Sequence, residues 1–412
     1  MKSYMRLIIG MILLILYPSL VLASDFSLIP SISFKEQYNS NILLLTDSAA
    51  KRDYLTTISP GVEMIDHSER FDMDLTARWD QLEYAVNSDI DATNQIYDGK
   101  LHYRVNPLFD VSAQAGYTRI SNPTLLDITA TGIFMSAVPW DHFTSSLSAN
   151  YQVTEKTVAS LSYGYERDYF ERPGYEDDTT HSVNLGVIYD LGKYLPNVKA
   201  RINGGYSNYN FSDNRTDNYT GTVGFSKNFS ETWSIVVDGG LRYSTSEFSV
   251  IEYEYITIFG FQIPIGTIMV PQKNDGWGWI ARASLVYNGE YGNVNFDYTK
   301  NVTAAYGLNG AAEQNAFTLS TQYRLTKEFS ILFSAGYYTL KSDSSEFSAQ
   351  AINQQTFGVN PGVRYEFTKD LFAEASYEYL TVDYPLANYE NTKRDLFSVR
   401  LYFQYPFFSR TN

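Results

Sequence analysis

The chain has 412 residues, of which 19% are charged and 16% aromatic, and its formal net charge is −15 at pH 7. An acidic chain without a basic run is poorly matched to a phosphate backbone, so we expect no nucleic-acid partner. Cysteine is absent, which excludes disulfides and thiolate metal sites.

The N-terminus has the features of an export signal. Lys2 and Arg6 form a short positive region, and an apolar stretch follows over residues 7–22. This order predicts a secretory signal peptide over residues 1–23 and one mature domain over residues 24–412. The alternative, a retained transmembrane helix, is disfavoured because the stretch is shorter than the ~20 residues that span a bilayer.

The mature chain repeatedly alternates apolar and polar residues. The apolar members of two such runs are Phe329, Ile331, Phe333, Ala335 and Tyr337, and Phe397, Val399, Leu401, Phe403, Tyr405 and Phe407. Strand side chains point to opposite faces with period two, so each run has one apolar and one polar face. In an exported chain, this pattern predicts a transmembrane β-barrel in the outer membrane, with its apolar face on lipid. The partners that we expect are outer-membrane lipid, lipopolysaccharide and the barrel-assembly machinery.

Short polar turns and longer polar loops alternate along the chain. The predicted turns lie near residues 67–70, 106–108, 154–156, 192–197, 228–232, 288–292, 326–328 and 368–370. The predicted loops lie near residues 41–52, 85–95, 120–141, 168–179, 210–217, 245–276, 303–312, 341–353 and 383–394. Together they join 18 strands.

Bacterial barrels have an even strand number, short periplasmic turns and longer extracellular loops. We therefore predict an all-β, antiparallel up-and-down barrel of 18 strands with both chain ends in the periplasm. The alternative count is 16, because the strands near residues 30–40 and 142–152 have weaker patterns. A soluble sandwich or propeller also alternates, but the regular change between short and long connections disfavours it.

The longest loop, residues 245–276, alternates on both sides of Gly260 and predicts a β-hairpin. Such a hairpin either extends the flanking strands outward or folds inward as a constriction, and we favour the outward arrangement. No separate plug domain is predicted.

The strand phase places charges of both signs on the polar face. The candidates for lining the lumen are Asp72, Asp74, Arg78, Asp80, Asp98, Lys100, Arg104, Lys199, Arg201, Asp238, Arg242, Arg282, Asp297, Arg324, Arg364, Glu374, Glu378 and Arg400. A ring of one sign would select ions by charge, whereas this mixed set suits a hydrated polar solute such as a sugar chain. For most of these residues taken singly, we favour pairing across strands as the explanation.

The histidines give no sign of a catalytic or metal site. They are His67, His102, His142 and His181, and their spacing is not that of metal ligands. Only His102 falls at mid-strand facing inward, and a hydrolase would also need a serine and a carboxylate within reach of it. We therefore expect no enzymatic activity, no cofactor and no bound metal.

The start of the mature chain carries a family resemblance. It reads FKEQYNSNILL over residues 34–44, and the next strand carries ISPGV over residues 58–62. These segments resemble the opening of the β-barrel porin 2 family, although Ser40 replaces the usual second acidic residue of its Asn-Asp-Asn-Ile-like run. The resemblance implies a passive conduit for secretion of an exopolysaccharide, with the polysaccharide as solute and a periplasmic polysaccharide export protein as partner. It implies no catalytic or binding residues.

Two other functions stay open on the sequence. One is a general or small-solute diffusion porin. The other is a structural or adhesive barrel whose lumen is closed by side chains.

Overall fold

The computed structural model describes residues 25–122, 138–172, 174–259, 261–305, 308–343, 346–349, 351–385 and 391–410. The predicted signal peptide lies outside these residues. The described chain is almost entirely β-strand, with two short 3-10 turns at Asp47–Ala49 and Ser88–Ile90. None of its helical segments is long and apolar enough to cross a bilayer.

The strands have the following bounds: β1 Asp25–Asn39, β2 Asp53–His67, β3 Phe71–Tyr84, β4 Ala92–Asn106, β5 Phe109–Ile120, β6 Trp140–Thr154, β7 Thr157–Phe170, β8 Asp178–Asp190, β9 Val198–Asn210, β10 Asn214–Asn228, β11 Trp233–Ile258, β12 Phe261–Asn288, β13 Gly292–Ala304, β14 Ala311–Arg324, β15 Phe329–Ser342, β16 Ile352–Thr368, β17 Leu371–Asp383, β18 Thr392–Gln404 and β19 Phe408–Arg410.

Each long strand pairs antiparallel with the next one along the chain, and β18 pairs with β1 to close the barrel. The short β19 also pairs with β1, with its partners moved by one residue relative to those of β18. Pro406 lies in the break between β18 and β19, where it has no N–H to donate to the sheet. Since β18 and β19 occupy one position in the wall, the barrel has 18 strands, and the predicted count is confirmed.

The connections follow the predicted order. All eight predicted short turns lie between consecutive strands, starting with β2–β3 and ending with β16–β17. The predicted hairpin at residues 245–276 is also present, since β11 and β12 stay paired as far as Ile258 and Phe261. Residues 251–257 and 261–269 are exposed on both faces of the hairpin, so this hairpin extends beyond the barrel wall.

One phase of side chains forms an exposed apolar band around the wall. Leu185, Val223 and Val399 are among its members. A band of this size would be an aggregation-prone surface in water, and it is the outer surface of a barrel in lipid. The chain is therefore an outer-membrane β-barrel.

Aromatic pairs border the apolar band at both ends of the strands. Toward the long loops, the ring centroids of Tyr206 and Tyr219 lie 5.1 Å apart. Toward the short turns, those of Trp233 and Tyr287 lie 4.8 Å apart. Tyr and Trp suit this position because each combines an apolar ring with a polar group that reaches the headgroup region.

Candidate functional site

The main buried hydrophobic clusters lie on the inner face, at the extracellular ends of the strands. One contains Ile42, Leu55, Leu82 and Tyr84. Leu55 and Leu82 are opposite in phase to the exposed band, so they point inward. Apolar side chains can be buried there only if other parts of the chain cover them. The first loop, residues 40–52, provides this cover and therefore lies inside the extracellular opening of the barrel, which we call the mouth.

Polar contacts hold the first loop in the mouth. The amide Nδ2 of Asn122, just after β5, donates to the carbonyl oxygen of Ile42 at 3.1 Å and to Tyr84 Oη at 3.1 Å. On the other side of the loop, Leu44 packs against Leu380 of β17. The loop thus contacts strands on both sides of its own position in the wall.

The extracellular end of β13 also folds over the mouth. Tyr209 Oη, from β9, donates to the carbonyl oxygen of Val302 at 2.8 Å. Neighbouring strands lie about 4.8 Å apart, so β9 and β13 are separated by roughly 19 Å along the sheet. A tyrosine side chain cannot bridge that distance, and the end of β13 must therefore leave the wall and lean inward.

The sheet opens where β13 leaves the wall. Strands β12 and β13 pair only from Ala281 and Lys300 toward the periplasmic turn. The pairing of β11 with β12 and that of β13 with β14 both continue further toward the extracellular side. Lys300 lies at this opening, with its Nζ 4.2 Å from the ring centroid of Trp279 and in an ion pair with Glu313. The ion pair and the cation–π contact hold the strand that bends inward.

A third segment, residues 346–349, crosses the mouth from the β15–β16 side. Asn214 Nδ2, at the start of β10, donates to the carbonyl oxygen of Phe347 at 2.6 Å. The ring of Phe347 is buried against Tyr209, Phe211 and Val302. Since β10 and β15 are roughly 24 Å apart along the wall, this contact also requires an inward fold.

Arg242 of β11 connects residues 346–349 with the start of β14, which pairs with the end of β13. Its side chain is 5% exposed and points into the lumen. Its Nη2 lies 3.4 Å from a carboxylate oxygen of Glu313 and 3.3 Å from one of Glu346, and its guanidinium lies 5.1 Å from the ring centroid of Phe347. A side chain added at Gly278 would clash with this guanidinium, so the glycine lets Arg242 lie flat across β12.

The sequence predicted the position of the hairpin at residues 245–276 but not the inward folding of the other loops. Among the described residues, the segments that narrow the mouth are the first loop, the end of β13 and residues 346–349. A usable signal was present in the first loop, where Ile42, Leu43 and Leu44 form an apolar run in a segment expected to be polar.

All eighteen candidate lumen residues lie on the face opposite the exposed apolar band. Several of them form ion pairs, most of them across strands, whereas Arg78 pairs with Asp80 of its own strand. The closest contacts of these pairs are Arg78–Asp80 at 3.0 Å, Arg201–Asp238 at 3.0 Å, Arg364–Glu374 at 2.8 Å and Arg400–Glu374 at 3.2 Å. Glu378 pairs with Arg394, a residue that was not among the candidates.

Other candidate lumen residues do not take part in these ion pairs. Among the candidates, the exposed cations that form no ion pair with a described residue are Lys100, Arg104, Lys199, Arg282 and Arg324. Asp72 lies 3.0 Å from His67, and the strand pairing places Asp74 and Asp98 opposite Lys100 and Gly116, respectively. Asp297 lies opposite Ser284. The described residues of the inner face therefore carry charges of both signs at many heights and form no ring of one sign.

One part of the inner wall combines cations with aromatic rings. The guanidinium of Arg364 lies 4.6 Å from the ring centroid of Phe372, and that of Arg400 lies 5.5 Å from it. The ring of Tyr402 stacks beside Phe372 at 4.9 Å. Such a surface offers aromatic faces and guanidinium donors to a passing polar solute.

No family model and no curated protein matches the chain. Among solved structures, the chain is similar to OccK2 (OpdF) of Pseudomonas aeruginosa, with 9% identity, a TM-score of 0.44 and coverage of 93% of this chain and 98% of that one. It is also similar to OpdQ of the same organism, with 12% identity, a TM-score of 0.44 and coverage of 94% and 100%. A loop L8 deletion mutant of OmpT, an outer membrane protein of Vibrio cholerae, has 10% identity, a TM-score of 0.40 and coverage of 93% and 100%. At these identities and scores the likeness concerns the fold alone. No family model supports the resemblance to the β-barrel porin 2 family.

Proposed function

We propose that the protein is a porin-like channel through which small hydrophilic solutes diffuse across the outer membrane. The observation that carries this proposal is a polar lumen beneath a mouth narrowed by inward-folded segments. Eighteen strands are enough to enclose an aqueous channel, and charges of both signs keep its wall hydrated. The narrowed mouth favours small solutes over long chains.

The contacts across the mouth limit the size of the solutes that can pass through it. Tyr209 reaches Val302 and Asn214 reaches the carbonyl of Phe347, although the strands concerned are several positions apart. These contacts are backed by buried apolar clusters, so opening the mouth would expose apolar surface to water. A wide opening suited to a polymer would therefore be costly.

The exopolysaccharide conduit is the second candidate, and only the opening segment favours it. The structure offers another reason for those residues. Asn39 and Asn41 are fully buried, Asn39 Oδ1 accepts from the backbone N–H of Asn41 at 2.9 Å, and Asn41 Oδ1 accepts from that of Leu45 at 3.0 Å. Asn41 Nδ2 also donates to the carbonyl oxygen of Lys393 at 3.0 Å. The motif is thus accounted for by the turn that directs the first loop into the mouth.

Swelling of proteoliposomes in sugars of increasing size tests the proposal. We expect monosaccharides to enter rapidly and long soluble polysaccharides to be excluded. A variant lacking residues 250–269 is the matched control, because this part of the hairpin lies outside the mouth, and it should show the same size limit.

A strain without the gene separates the two candidates. A small-solute channel predicts normal surface polysaccharide and slower uptake of small solutes. Loss of surface polysaccharide, combined with proteoliposomes that do not swell in any sugar, would overturn the proposal in favour of the conduit.

A further inference from the structure

Four ionisable side chains lie close together on the inner face near the mouth, on β6, β7 and β8. In the strand pairing, His142 lies opposite Asp168, and Asp168 lies opposite Asp178. Glu166 is the next inward residue below Asp168 on the same strand. The register of three strands therefore sets three carboxylates and one imidazole side by side.

Three of the four, His142, Glu166 and Asp168, have the spacing of a coordination shell. His142 Nδ1 lies 2.8 Å from Asp168 Oδ1 and 3.9 Å from Glu166 Oε1. One ligand atom from each of these three residues lies within 4.8 Å of the other two. Bonds of about 2.0–2.2 Å to a common ion place neighbouring ligand atoms roughly 3–4 Å apart, so little movement is needed to bind one ion.

Asp178 supplies an independent observation. It is 3% exposed, and neither of its carboxylate oxygens has a hydrogen-bond partner within the described residues. The carboxylate of Asp168 is also buried, and its Oδ2 has no such partner. Burying carboxylates without compensation is costly, and one imidazole can offset only one of them. A bound cation would satisfy the remaining oxygens.

We propose that His142, Glu166, Asp168 and Asp178 bind one divalent transition-metal ion. Imidazole and carboxylate ligands together suit Zn²⁺ or Mn²⁺, whereas Ca²⁺ prefers an all-oxygen shell. Trp140 Nε1 donates to Asp168 Oδ1 at 2.6 Å and so orients that carboxylate. The ion reaches the site from the lumen, past the partly exposed His142 and Glu166.

This site had no signature in the sequence. His142 and Asp168 are 26 residues apart, and only the register of the barrel brings them together. The ion would tie three neighbouring strands together at the mouth, which would stabilise the folded barrel in proportion to its binding.

Titration calorimetry on the refolded, chelator-stripped barrel in detergent tests the proposal, with Zn²⁺ and Mn²⁺ as probes. We expect one ion per chain and a rise in the unfolding temperature. His142→Gln and Asp178→Asn should each weaken binding at least ~tenfold, since each removes a ligand. His181→Gln is the matched control, because His181 lies on the outer face beside Tyr163, 2.9 Å from its hydroxyl.

A second measurement needs no variant. In the unmodified protein, the bound metal should protect His142 from diethyl pyrocarbonate, with His67, His102 and His181 as internal references in the same mass spectrum. The proposal is overturned if neither metal binds stoichiometrically. It is also overturned if the two ligand variants bind as tightly as the control and His142 gains no protection, because an adventitious surface site would then explain the binding.

Discussion

Arg242→Ala should give a channel with a higher and noisier single-channel conductance than the unmodified protein. Arg242 is the common partner of Glu346, in the segment 346–349, and of Glu313, which lies on β14 opposite Val302 at the inward-leaning end of β13. Removing it leaves Glu346 without its cation and leaves Glu313 with Lys300 as its only ion-pair partner among the described residues. Breaking a buried pair costs about 3–5 kcal/mol, and the partial exposure of both acids reduces this to about 1–3 kcal/mol. A loss of this size is enough to populate arrangements in which the mouth is open.

Recordings in planar bilayers check this result. Lys273→Ala is the matched control, because it removes the same charge from an ion pair with Glu247, 2.8 Å away, on the exposed hairpin. The control should conduct like the unmodified protein. A folded Arg242→Ala barrel with unchanged conductance and noise would show that these segments do not limit flow.

Arg394→Met should destabilise the barrel more than the loss of any exposed lumen charge. The Arg394 side chain is 1% exposed and pairs with Glu378, which is 7% exposed, across β17 and β18. Without its partner, Glu378 is a buried charge, and the expected cost is about 3–5 kcal/mol. Urea unfolding of the barrel in detergent measures the difference.

The double variant Arg394→Met and Glu378→Leu should recover most of that loss, because it removes both charges and fills the space with apolar atoms. Arg78→Met is the comparison, since Arg78 pairs with Asp80 but its side chain is 53% exposed. Its expected cost is below ~1 kcal/mol. Equal losses for Arg394→Met and Arg78→Met would contradict the view that burial decides the strength of these pairs.

The strands and turns of the barrel wall could be predicted because the sequence patterns that specify them are local. Alternation sets the face of each residue, so the sequence placed Arg282 and Arg364 on the same side as the other inner charges. Short polar turns are equally local, and turns such as residues 67–70 and 368–370 were located to within about two residues. The hairpin at residues 245–276 also carries its own alternation and was predicted for that reason.

The mouth could not be predicted in the same way, because its contacts join residues from distant strands. Nothing local to Val302 indicates that its carbonyl accepts from Tyr209, which lies 93 residues earlier. Likewise, Asn214 and Phe347 are 133 residues apart. These contacts depend on the closed barrel, since only closure brings the two sides of the wall across from each other. The group formed by His142, Asp168 and Asp178 depends instead on the register of three adjacent strands, which the sequence does not specify locally.

A single cysteine placed below the mouth tests most directly whether a wet lumen lies beneath a narrow opening. The chain has no cysteine, so Arg282→Cys gives one reactive thiol on the inner face, next to the opening between β12 and β13. In the assembled outer membrane, we expect a small charged thiol reagent added from outside to modify it. A maleimide on a bulky polyethylene glycol should fail unless Arg242→Ala is also present. Ready reaction with the bulky reagent alone, or no reaction with either reagent, would contradict the account.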